Sequence, residues 1–64
     1  MKKIATVNKF YIYKFKPDEE IEKGCKYGVI EKDRADREEY LIPADMDFYE
    51  KTQDAAIKKA LLWS

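Results

Sequence analysis

Cys25 is the single cysteine of this chain and histidine is absent, so neither a disulfide nor a cysteine–histidine metal site can hold its fold together. That leaves apolar packing as the source of stability. A chain of 64 residues has room for one domain, and at this size folding buries only about 60% of the surface that the unfolded chain exposes. Five tyrosines, three phenylalanines and one tryptophan supply the large buried area per residue that so short a chain needs. Residues 1–64 read as one domain, because no repeat, low-complexity tract or linker divides them.

A lone cysteine fits a reducing compartment, and the expected location is cytoplasmic. Lys2, Lys3 and Ile4 open like a secretory leader, but Thr6, Asn8 and Lys9 interrupt any apolar stretch behind them. No segment approaches the roughly 20 apolar residues of a membrane helix, so no membrane is expected as a partner.

Thirteen basic residues balance thirteen acidic ones, but unevenly along the chain. Residues 1–16 hold Lys2, Lys3, Lys9, Lys14 and Lys16 and no acid, so the remainder carries eight bases against thirteen acids. A basic N-terminal stretch therefore faces an acidic body within a neutral whole.

Alternation and residue type outline the elements. Ile4 to Phe15 is rich in β-branched and aromatic residues and free of Gly and Pro, which predicts a strand with Phe10 and Ile12 turned inward. Pro17 to Glu22 reads as a loop or a single helical turn that stops at Gly24. Cys25 to Lys32 alternates as a second strand, in which Gly28 marks either a bulge or close packing by a large neighbour. The polar stretch Asp33 to Arg37 suits a hairpin loop leading to a third strand, Glu38 to Ile42, closed by Pro43. Asp47 followed three residues later by Glu50 resembles a capping box and starts a helix from about Phe48 to Trp63. Ala56 and Ala60 on that helix would allow close approach to the sheet. The predicted fold is α+β: a small three-stranded antiparallel sheet in meander order, packed against one C-terminal helix.

Catalytic chemistry leaves few traces. Without histidine the commonest general base is missing, and Gly24 and Gly28 do not form a phosphate-cradling loop. Adjacent carboxylates such as Glu19 with Glu20, or Glu38 with Glu39, lack the spacing of a calcium loop and read as solvated surface. Cys25 reads as a small packed side chain, although Lys23 and Lys26 nearby would favour a reactive thiolate. The chain is expected not to be an enzyme and to use no cofactor, metal or small-molecule substrate.

Binding is the remaining class. Its leading form is a small regulatory or binding module that contacts another protein or a second copy of itself, using Tyr11, Tyr13, Phe15, Ile57, Leu61 and Trp63. Such a profile suits a small accessory protein of a mobile element or bacteriophage. The alternative is a nucleic-acid-binding module in which Lys9, Lys14 and Lys16 meet phosphates while Tyr11 and Tyr13 stack on bases.

Overall fold

A single strand from Ile4 to Phe15 would be about 40 Å long at ~3.3 Å per residue, whereas the protein's longest dimension is 27 Å. The computed structural model, which describes residues 1–63, folds this stretch into two strands. β1 (Lys2–Val7) and β2 (Phe10–Lys14) form an antiparallel hairpin in which Val7 opposes Phe10. Asn8 makes the turn by adopting a positive φ of 51°, a conformation that asparagine tolerates better than most residues with a Cβ.

The sheet has four antiparallel strands in the order β1-β2-β3-β4, with β3 at Tyr27–Glu31 and β4 at Phe48–Glu50. The α+β class, the meander and the covering C-terminal helix are as the sequence predicts, and the strand count is four. Glu38 to Ile42 is not a strand. β3 instead runs directly into a short helix, α1 (Lys32–Asp36), followed by irregular chain and a 3-10 turn at Pro43–Asp45. Glu38, Glu39 and Tyr40 are exposed, so this segment lacks the buried face that would hold it on a sheet.

The C-terminal helix starts later than the sequence predicts. Phe48 to Glu50 pairs with β3, with Val29 opposite Phe48 and Tyr27 opposite Glu50. The helix α2 spans Gln53–Leu62 and is capped by Thr52, whose hydroxyl accepts the Ala55 N–H at 3.1 Å. Thr52 thus fills the role assigned to Asp47, the better cap being the residue whose backbone is still extended.

The sheet is covered on both faces. On the α2 side Phe10, Ile12 and Val29 pack against Ala56 and Ala60, with Ile4, Ala5 and Ile57 at the margin. An irregularity in β1 between Lys3 and Ala5 lets Ile4 and Ala5 both contribute to this cluster. On the other face Tyr11, Phe15 and Ile30 pack with Ala35 of α1 and Met46. Ile12, Val29, Ile30, Ala56 and Ala60 are completely inaccessible. Burying both faces of β2 and β3 explains why so many of their residues are apolar or aromatic.

Gly28 lies under the second layer. A Cβ built there would stand 2.6 Å from Phe15 Cζ and would overlap Met46 as well. Of the two readings for this glycine, close packing is the observed one. Gly24 has a positive φ of 81° and ends the turn after Glu22, as a glycine stop requires.

The irregular segments repeat one device. In Lys16-Pro17-Asp18-Glu19 the Glu19 carboxylate accepts the Lys16 N–H at 2.7 Å, and the Glu19 N–H returns to the Lys16 carbonyl at 2.9 Å. In Ile42-Pro43-Ala44-Asp45 the Asp45 carboxylate accepts the Ile42 N–H at 3.0 Å, and the Asp45 N–H returns to the Ile42 carbonyl at 2.9 Å. Proline fixes φ at the first turn position while the acid satisfies the free donor.

Candidate functional site

α2 ends beside the rim where β2 begins and β3 and β4 meet. Leu61, Leu62 and Trp63 are consecutive and 56%, 77% and 59% exposed. Three large apolar groups in a row cannot all face the sheet from one helix, so the last turn projects apolar surface outward. The Trp63 ring is held in place: its centroid lies 5.5 Å from that of Phe48, with the planes tilted by 31°. Lys59 Nζ lies 5.1 Å from the Phe48 centroid and 3.8 Å from Glu50 Oε2. Phe10, Phe48 and Trp63 wall a cleft whose polar side is Glu31, Arg34 and Asp47.

That polar side is braced from within. Arg34 Nη2 lies 2.9 Å from Asp47 Oδ1 and also donates to the Asp45 carbonyl. Asp47 Oδ2 accepts the Glu31 N–H at 2.8 Å, and the Asp47 N–H donates to the Val29 carbonyl at 2.8 Å. One carboxylate therefore joins the end of β3, α1 and the entry to β4.

The residues predicted for protein contact divide into two groups. Leu61 and Trp63 lie together on the exposed end, whereas Ile57 is half-buried one turn earlier against the α2-side core. Tyr11 and Phe15 are 9% and 5% exposed and belong to the interior of the opposite face. The Tyr11 hydroxyl donates to Asp36 Oδ1 at 2.9 Å, and Lys3 Nζ lies 4.1 Å from its ring centroid. Tyr13 is half-buried and meets Tyr11 edge-on, with 6.4 Å between centroids. A strand carrying aromatics on both faces needs two covering layers, so Tyr11 and Phe15 pack beneath α1 and Met46 and do not form a contact face.

The predicted nucleic-acid set is also split. Lys9 sits in the Asn8 turn at one end of β2, while Lys14 and Lys16 lie at the other end. Lys14 points to the α2 side of the sheet and Tyr11 and Tyr13 to the opposite side, as strand alternation requires. Lys14 is paired across the hairpin with Lys2.

Cys25 is 7% exposed. Burial, followed by the neighbouring Glu22 charge, pushes its thiol above the usual range against the opposing pull of Lys51, which favours a packed side chain over a reactive thiolate. Among the described residues no group of three or more Cys, Asp or Glu side chains is placed to hold a metal ion, and no helix is long and apolar enough to cross a membrane.

Sequence reading did not single out Tyr40 and Ile42, which are 79% and 52% exposed, because it placed them in a strand. It also missed Phe48 as the support for Trp63. A single helix from Phe48 to Trp63 would place both on one face but hold them about 22 Å apart at ~1.5 Å per residue; only the return of α2 over β4 brings them together.

The fold and surface define a small α+β domain with a four-stranded meander, an apolar helix end and a lysine-rich opposite rim. Comparison with family models, with curated proteins and with solved structures returned no match.

Proposed function

We propose that this chain is a non-enzymatic binding module that docks another protein through the C-terminal end of α2. The observation that carries this reading is the continuous exposed run Leu61, Leu62 and Trp63, with Trp63 already seated on Phe48. An anchor held in its contact orientation loses little side-chain entropy on binding, and tryptophan is prominent among the residues that dominate protein contacts. The adjacent cleft adds an apolar floor from Phe10 and a rim of fixed charges at Glu31, Arg34 and Asp47, the arrangement in which charge sets partner choice while apolar area gives affinity.

Strand addition at the sheet edges has less support. β1 is an edge carrying Lys2 and Lys3 and a register irregularity, while β4 offers only three residues. Both are familiar ways of discouraging pairing with another chain.

The test is paired capture of partners by the wild type and by a Leu61→Glu/Leu62→Glu variant, with circular dichroism confirming that both fold. The reading expects a partner, or a second copy, retained by the wild type and lost by the variant. Identical capture by both proteins would count against it.

A nucleic-acid reading through Lys9, Tyr11, Tyr13, Lys14 and Lys16 is the weaker alternative. It draws on the lysines at the end of β2, but the Tyr11 ring is enclosed and Lys14 lies across the strand from both tyrosines. Phosphate contacts without open rings would supply only salt-sensitive, sequence-blind affinity.

A further inference from the structure

The end of the sheet remote from Trp63 carries a concentration of lysines. Lys2 and Lys14 are directly opposed across the β1–β2 hairpin, where side chains start only about 5 Å apart and like charges destabilise the pairing. Lys16 follows on the same rim, and Lys26 adjoins it where the Phe15 N–H donates to the Lys26 carbonyl at 2.8 Å. Among the described residues none of these four lysines makes an ion pair. Of the acids nearby, Glu19 holds the amino group of Met1 at 2.6 Å and the Lys16 N–H at 2.7 Å, Glu50 lies beside Lys59, and Glu20 stands on the wall of the groove.

These lysines surround two adjoining hollows. One is lined by Met1, Lys2, Lys14, Phe15, Lys16 and Pro17. The next shares Lys14, Phe15, Lys16 and Pro17 and adds Lys26 and Glu20, the one carboxylate on its wall. Phe15 is nearly enclosed, so the open apolar floor is Pro17 with the stems of the lysines, and the rim is cationic.

We propose that this groove binds an acidic peptide segment of a partner protein, its carboxylates meeting Lys2, Lys14 and Lys16 and an apolar side chain resting on the exposed Pro17 ring. Charge complementarity selects an acidic occupant, and the apolar floor rewards a side chain that a purely polar anion lacks. A single-stranded nucleic acid suits the groove less well, because its affinity depends on open ring faces and Phe15 is only 5% exposed. The inference is independent of the α2 surface, since the two sites lie at opposite ends of β2.

Fluorescence polarisation with a dye-labelled synthetic peptide alternating glutamate pairs with leucine tests it. The wild type binds this peptide at low salt, and reversal of Lys14 or Lys16 to glutamate weakens binding by about tenfold, a Coulomb effect that added salt also erodes. Trp63→Ala and Lys32→Glu leave it unchanged, which separates this site from the α2 end. Lys14→Glu also removes the repulsion with Lys2, so its melting temperature stays level or rises while binding falls; damage to the fold would move both downward. Lys16→Glu lies outside the strands and keeps the test readable if pairing is disturbed. The proposal is overturned if the peptide does not bind at low salt, if a leucine-free glutamate–serine peptide binds equally well, or if an oligothymidylate of equal charge binds more tightly through the same lysines.

Discussion

Arg34 and Asp47 form an ion pair of 2.9 Å that closes the connection between β3 and β4. The pair stands in for the hairpin turn that the sheet does not have at this point. α1, the irregular chain behind it and the 3-10 turn at Pro43–Asp45 are otherwise tied down by Ala35, Leu41 and Met46 and by the hydroxyls of Tyr11 and Tyr49, which donate to Asp36 and to the Pro43 carbonyl.

Removing the carboxylate should therefore cost more than removing the cation. In Asp47→Ala the guanidinium loses its counter-charge and the Glu31 N–H loses its acceptor, and a loss of about 2 kcal/mol is expected. Arg34→Met takes the counter-charge from Asp47 and the donor from the Asp45 carbonyl, but it also discards a guanidinium whose Nε is buried without an acceptor among the described residues and leaves an apolar stem in its place, so about 1 kcal/mol is expected. Urea denaturation of both variants checks the order, and a larger loss for Arg34→Met would refute it.

Gly28→Ala tests the close packing over β3. The added methyl group would meet the Phe15 ring and Met46, and overpacking of this kind costs about 1–3 kcal/mol. Met46→Ala in the same background should recover part of the loss, because it vacates the space that the new Cβ needs. If Gly28→Ala alone is neutral in thermal unfolding, the layer over β3 is looser than described.

The alkaline limit of stability should depend on Tyr11. Its hydrogen bond to Asp36, and then its burial, hold the phenol protonated and raise its pKa above the ordinary tyrosine value. The native state thus binds this proton more tightly than the unfolded chain does. The associated stability is complete below pH about 10, the unfolded tyrosine value, and is lost as pH rises through the elevated native value. Tyr11→Phe should flatten this alkaline decline without abolishing it, because Tyr13 and Tyr49 are shifted in the same direction, mainly by burial. Chemical denaturation from neutral to alkaline pH reads the slope; unchanged slopes in the variant would refute the assignment.

What the sequence disclosed follows the range of the interactions involved. Phe10 and Ile12 as inward residues, Gly28 as a packing position and Ala56 with Ala60 as the helix's contact stripe are all local patterns of alternation or spacing, and all are legible. The hairpin at Asn8 is hidden because no glycine marks it; only the comparison of a strand twelve residues long with so small a body exposes it. β4 is hidden because three residues cannot display a period, and Phe48 to Glu50 takes extended form through pairing with Tyr27 to Val29. The same limit applies to the surface. Leu61 and Trp63 are readable as surplus apolar residues on a helix end, while the enclosure of Tyr11 and Phe15 depends on α1 and Met46, which arrive from distant sequence to cover the second face.

The most direct test of the central claim is site-specific photocrosslinking in cells that naturally produce the protein. A photoreactive residue at position 62 should give a discrete protein adduct that Trp63→Ala weakens, while the same group at Gln53, exposed at the other end of α2, gives none. The same adducts from both positions, or none from position 62, would contradict the assignment of the α2 end as the contact surface.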